Sequence, residues 1–191
     1  MIDFKDINDI HDKHYNIAWE IYRSSFPIFE QRDIDSQMKA MKDDKFNCRV
    51  YIENDIVIGI LFFWQWKNYR YIEHFAISKD IRGKNYGSKI LSEFCTEQYL
   101  NILEIDLPID KVSISRLNFY ERLGFLINKY DHIHPPYRLG YKGHDLKVLS
   151  YKNFLDDKEY NEFNNFLRQK VMIYSENKQS NYNNTNFGVW D

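Results

Sequence analysis

Residues Tyr71–Leu91 read YIEHFAISKDIRGKNYGSKIL and set out a strand, a basic glycine-containing turn and an amphipathic helix, in that order. Tyr71 to Ile77 alternates and is rich in aromatic and β-branched residues, which suits a strand. Ser78-Lys79-Asp80 breaks the alternation, and Gly83 and Gly87 bracket a turn. Ile90, Leu91 and Phe94 then recur at helical spacing, so a helix starts near Tyr86 or Gly87. Its first-turn N–H groups have no intrahelical partners and lie at the positive end of the helix dipole, which suits a phosphate. Gly83 and Gly87 let the backbone approach a ligand, Arg82 and Lys84 add charge, and Ser88 adds a hydroxyl. The plain alternative is a solvated basic turn closing a strand–helix unit.

Arg82-Gly83-Lys84-Asn85-Tyr86-Gly87-Ser88 resembles the coenzyme A pyrophosphate loop of the GNAT superfamily of N-acetyltransferases, Arg/Gln-x-x-Gly-x-Gly/Ala. Arg82 matches its first position and Gly87 its last. Asn85 stands where the first glycine is usual, and Asn enters the left-handed region more readily than most residues. Asn118–Phe125, NFYERLGF, resembles the later signature of the same superfamily, a helix ending in Phe-Tyr-x-x-x-Gly-Phe before a strand. The resemblance covers roughly residues 1–150. It implies a GNAT fold of the α/β (α+β) class, with a mixed central sheet of about six to seven strands, flanking helices and a C-terminal helix.

The 191 residues suffice for one well-packed domain, and 43% hydrophobic residues support a core. A formal net charge of −2 argues against bulk binding to nucleic acid or to an anionic membrane. Cys48 and Cys95 lack metal-ligand spacing, and Cys95, next to Phe94 on the apolar side of the helix, reads as a packing residue; no metal is expected. The chain is charged from Asp3 onward, unlike a signal peptide, and its longest apolar run, Ile56 to Trp64, is too short to span a bilayer. A cytoplasmic location is expected.

In chain order, Met1–Ile7 reads as a strand, His14–Ser24 and Asp33–Lys42 as helices, and Asn47–Glu53 with Ile56–Gln65 as a hairpin around Asn54-Asp55. After a Lys67–Arg70 turn comes Tyr71–Ile77, and then, beyond the amphipathic helix, a parallel strand at Ile102–Leu107. The second signature lies on a helix that begins at Asp110 or Ser113 and ends at a left-handed Gly124. Phe125–Asp131 and Leu146–Tyr151 read as strands, and about Asp156 to Tyr174 as the last helix. Residues 1–174 form the expected single domain; 175–191 form an Asn-rich tail.

The resemblance implies acetyl-CoA as co-substrate and direct attack by a primary amine in a ternary complex. The alternative is a non-catalytic acyl-CoA-binding regulatory or interaction domain. The acceptor is a small-molecule amine or a peptide or protein amine; oligomeric state is open, a homodimer included. Tyr120 matches the family tyrosine that protonates the leaving thiolate, though a core tyrosine would sit on the same helix face. Arg82 to Ser88 match the pyrophosphate loop, and Phe75, Ala76 and Ile77 match the strand segment that pairs with the pantetheine arm. Ser113 stands where the family often has an asparagine facing that arm; a helix N-cap is the other reading. Glu73 is the expected base. Strict alternation puts it with Tyr71, Phe75 and Ile77 on one face, where desolvation would raise its pKa. Pairing with Arg70 or another cation is its alternative, and His74 replaces it if a bulge shifts the register. Phe26, Glu30 and Tyr137 are expected on the acceptor side. His132 and His134, at i and i+2, are weak metal ligands and better placed beside Tyr137.

Overall fold

The computed structural model describes residues 1–96 and 98–176. In chain order the elements are β1 (Asp3–Ile7), α1 (Tyr15–Ser25), α2 (Ile34–Ala40), β2 (Phe46–Glu53), β3 (Ile56–Trp66), β4 (Tyr69–Ile77), α3 (Tyr86–Phe94), β5 (Leu100–Asp106), α4 (Lys111–Arg122), β6 (Phe125–Ile127), β7 (His132–His134), β8 (His144–Tyr151) and α5 (Asp157–Phe166). All eight strands join one sheet, ordered β1-β2-β3-β4-β5-β8-β6, with β7 also on β8. β4 and β5 are parallel and the other pairs antiparallel. The count exceeds six to seven because the strand expected over Phe125–Asp131 stops at Ile127 and a separate short strand follows at His132.

Local chemistry explains the boundaries. Asn54 and Asp55 take positive φ (50° and 61°), as a tight hairpin requires. Lys67 does the same at φ 47°, so the second hairpin turns there and β4 begins at Tyr69 rather than Tyr71. Gly124, at φ 94°, ends α4 as expected. The last helix runs on to Tyr174, but α-helix gives way to a π-turn at Leu167–Val171 and a 3-10 turn at Met172–Tyr174.

The sheet separates two cores. α1 (Ala18, Ile21, Tyr22) and the C-terminal segment (Phe163, Leu167, Val171, Met172) pack on one face. α3 (Ile90, Leu91, Phe94) packs on the other, joined by Leu117 and Tyr120 of α4. Cys48 and Cys95 are both buried free thiols, and burial pushes the Cys95 thiol up to about 12. The tail does not begin at residue 175. Ser175 is buried with its hydroxyl donating to Met172 O (2.7 Å), and Glu176 pairs with Arg138 (2.6 Å). The remainder of the expected tail, 177–191, lies outside the described residues.

Candidate active site

β3 and β4 pair through Phe62↔His74 and then Phe63↔Ile72, so β4 carries one extra residue, Glu73. This bulge corrects the expected alternation. Glu73 and His74 both serve the α1 face: Glu73 accepts from Trp64 Nε1 (2.9 Å), and the His74 ring lies edge-on to Tyr22 and Phe26. Phe75 and Ile77 join the opposite core, away from Tyr71. A bulge also bends its strand and ends pairing. β4 pairs with β5 only from Tyr69 to Ile72, and beyond that the strands part around a cavity of about 1050 Å³.

One end of the cavity carries the coenzyme-loop residues. Arg82, Gly83, Asn85, Tyr86, Gly87 and Ser88 line it, as do Phe75, Ala76 and Ile77 along the part of β4 that β5 leaves unpaired. Asn85 is left-handed (φ 63°) and occupies the helix N-cap without using its side chain, so the first-turn amides of α3, which have no intrahelical partner, are not capped by it either. Gly83 is also left-handed (φ 81°), a conformation that needs no Cβ. Arg82 lies across the mouth, donating through Nε to Ile77 O (3.1 Å) and through Nη2 to Ser25 Oγ (3.3 Å). This donor set fits a pyrophosphate.

Two expected loop contributors fall outside the cavity wall. Lys84 is exposed because the left-handed residues on either side turn its position outward. Ser113 is buried in a capping box: its Oγ accepts from the amides of Ile109 and Asp110 (both 3.1 Å), while the Asp110 carboxylate caps Val112 and Ser113. Its role is the helix N-terminus, not the pantetheine arm. Tyr120 does line the cavity, half-buried, with no hydrogen-bond partner for its hydroxyl among the described residues. Burial pushes its pKa up to about 12, so the phenol keeps its proton at neutral pH.

The other end is aromatic and acidic, with Phe26, Phe29, Glu30, His134, Tyr137 and His144 on the wall. Glu73 lies at its floor but is not a base with a raised pKa. Its carboxylate, 0% exposed, accepts from Arg32 Nη1 (2.8 Å), Arg32 Nη2 (2.5 Å) and Tyr137 Oη (2.6 Å). Burial alone would raise it, but the Arg32 guanidinium, His74 and the Tyr137 hydroxyl together outweigh burial and hold it below the usual range. His74 is no substitute: burial pulls its pKa down to about 4 and its Nε2 donates to Glu30 O (2.9 Å). His132 and His134 are engaged by Glu104, which Tyr71 also contacts (2.5 Å). Burial pushes the Glu104 carboxyl up, but His134, His132 and Tyr71 outweigh it and hold it at about 2. Among the described residues, no group of three or more His, Cys, Asp or Glu is arranged to hold a metal.

Glu30 has the pKa that Glu73 lacks. Burial pushes it up to about 7, with Asp106 and Glu104 adding to the rise against Arg116. Arg32, His144 and Glu104 were not singled out from the sequence. Glu104 alone left a signal, as an acid inside an apolar strand; Arg32 and His144 are brought in by long-range packing.

Residues 44–126 match the model of the acetyltransferase (GNAT) domain. Streptothricin acetyltransferase A of Bacillus subtilis is 29% identical over 114 residues, 57% of this chain; the match spans 65% of that relative's length. A solved structure from Bacteroides thetaiotaomicron, described as a GNAT-family acetyltransferase, superposes with a TM-score of 0.82 at 26% identity, over 89% of this chain and 98% of that one. A GNAT acetyltransferase from Elizabethkingia anophelis with acetyl-CoA bound has the same fold (TM-score 0.54, 14% identity, 80% and 98% covered). In its two motifs, its split sheet and these likenesses the chain is similar to the GNAT acetyltransferases, with the family domain matched over residues 44–126.

Proposed function

We propose that the protein is an acetyl-CoA-dependent N-acetyltransferase acting on a primary amine by direct transfer. One observation carries this reading: the Arg82–Ser88 turn, the unpaired edge of β4 and the Tyr120 hydroxyl all open onto a single cavity that also has an acidic, aromatic end. Bound acetyl-CoA supplies an activated acetyl thioester. The first-turn amides of α3 and Arg82 hold its pyrophosphate, and backbone groups of Phe75–Ile77 hold its arm. Tyr120 Oη keeps a proton available to the leaving thiolate. The walls at Phe26 and Tyr137 orient the acceptor, so positioning supplies much of the rate.

The test is calorimetric titration with acetyl-CoA, dephospho-CoA and free pantetheine, followed by thiol-release assays on an amine panel that includes streptothricin. Saturable acetyl-CoA binding, lost without the pyrophosphate, together with amine-dependent thiol release is the expected result. Binding without turnover on any amine favours the regulatory alternative. Absence of binding removes both.

A further inference from the structure

Four carboxylates line the cavity: Glu30, Glu73, Glu104 and Asp106. Three are already answered by the protein. Glu73 is held by Arg32, Glu104 by His132 and Tyr71, and Asp106 by Arg116 at 2.5 Å. Glu30 is different. Its carboxylate has no hydrogen-bond partner among the described residues, and His144 Nε2 stands 3.9 Å away. Burial, with His134 alongside, lowers the His144 pKa, so at neutral pH that ring carries no compensating charge.

The backbone of Glu30 is nevertheless fixed. Its amide donates to Pro27 O (3.0 Å), and its carbonyl accepts from His74 on the β4 bulge (2.9 Å). The carboxylate is therefore presented by a rigid turn beside Phe26 and Phe29, with the Phe29 ring edge-on to His144 (5.6 Å, 81°) and near Tyr141 (5.9 Å). A partly dry, uncompensated carboxylate against aromatic rings is a site for one cation with an apolar body.

We infer that the acceptor is a monoamine with an apolar or aromatic body, and that Glu30 receives its ammonium and takes the proton that must leave before attack. This rests on the transferase reading above. The N–H bond of the ammonium breaks, an O–H bond forms on Glu30, and the freed lone pair stays on nitrogen. Among the described residues lining the cavity, a second ammonium on the acceptor finds no further unanswered carboxylate, and an acceptor carboxylate meets the like charges of Glu104 and Asp106. The charged and titratable groups facing Glu30 are His74 on β4, Glu104 and Asp106 on β5, Arg116 on α4, His134 on β7 and His144 on β8. Burial, with Asp106 and Glu104 against Arg116, leaves Glu30 titrating at about 7, where a base works well at neutral pH.

The experiment compares phenethylamine, spermidine and lysine as acceptors for the unaltered protein, Glu30→Gln and Glu30→Asp, with acetyl-CoA affinity and thermal melting measured on each. Expected are a kcat/KM for phenethylamine at least ~10-fold above the other two, and a ~100-fold or greater loss of kcat in Glu30→Gln. The fall in rate below neutral pH should vanish in Glu30→Gln and return in Glu30→Asp, with acetyl-CoA affinity and melting unchanged. Preference for spermidine or lysine overturns the inference. So does a Glu30→Gln variant that keeps its rate and its acidic limb, or a protein that binds acetyl-CoA but acetylates none of the three. Failure of the unaltered protein to bind acetyl-CoA is a different result, and it removes the transferase reading itself.

Discussion

Arg32 and Glu73 form a two-pronged ion pair, both side chains 0% exposed, between the segment joining α1 to α2 and the bulge of β4. Arg32 also donates to the carbonyls of Tyr174 (3.2 Å) and Val171 (3.5 Å). Tyr137 and Trp64 complete the shell on Glu73. One charge pair thereby holds together the floor and walls of the aromatic, acidic end of the cavity.

Breaking this pair from one side should cost much more than removing both charges. Arg32→Met or Glu73→Gln leaves a buried group unanswered, and about 3–5 kcal/mol of stability should be lost. Arg32→Met with Glu73→Leu should recover most of that. Urea unfolding of the three variants checks it, and single variants as stable as the double would refute the coupling.

Tyr120→Phe should lower kcat by about 10²-fold or more, the usual size of a general-acid contribution, while acetyl-CoA affinity stays within twofold. Full turnover in this variant would remove Tyr120 as the acid. Single-turnover kinetics separates this effect from product release.

Arg82→Ala should weaken acetyl-CoA binding by about 1.5–3 kcal/mol, the worth of hydrogen bonds to a charged group, or ~10- to 100-fold. The residual weak binding of pantetheine, which has no pyrophosphate, should not fall further. Equal losses for both ligands would place the arginine elsewhere in function.

Asp110→Ala should destabilise the fold by about 0.5–2 kcal/mol through loss of the α4 cap, without altering coenzyme affinity. Ser113→Ala should act in the same direction. A selective loss of acetyl-CoA binding in Ser113→Ala would restore the ligand role that its burial argues against.

Acid sensitivity should concentrate at Glu104. Its pKa falls from 4.5 to about 2 on folding, so its contribution is complete above the unfolded value and is lost as pH drops toward the folded one. Stability between pH 5 and pH 2 should therefore decline less steeply in Glu104→Gln. Chemical denaturation across that window measures the slope. An unchanged slope would mean the native carboxyl is not depressed.

Local patterns in the sequence carried the architecture a long way. The hairpin at Asn54-Asp55, the left-handed Asn85 and Gly124, the amphipathic α3 and the capped α4 each follow from chemistry within a few residues. So did the basic end of the cavity around Arg82–Ser88, because a turn at a helix N-terminus brings its own donors. The aromatic, acidic end was less legible. Phe26, Glu30 and Tyr137 were expected there and do line the cavity, yet Glu73, expected as the base, is held by Arg32, and the carboxyl with the raised pKa is Glu30. The reason is the bulge. One extra residue in β4 reverses which side chains face α1, and nothing in YIEHFAI marks where it falls. Whether a carboxyl is a base or a structural anion depends on its neighbours. Arg32 lies 41 residues from Glu73 in the chain, so the partner that holds Glu73 ionised meets it only when the α1–α2 segment closes over the sheet.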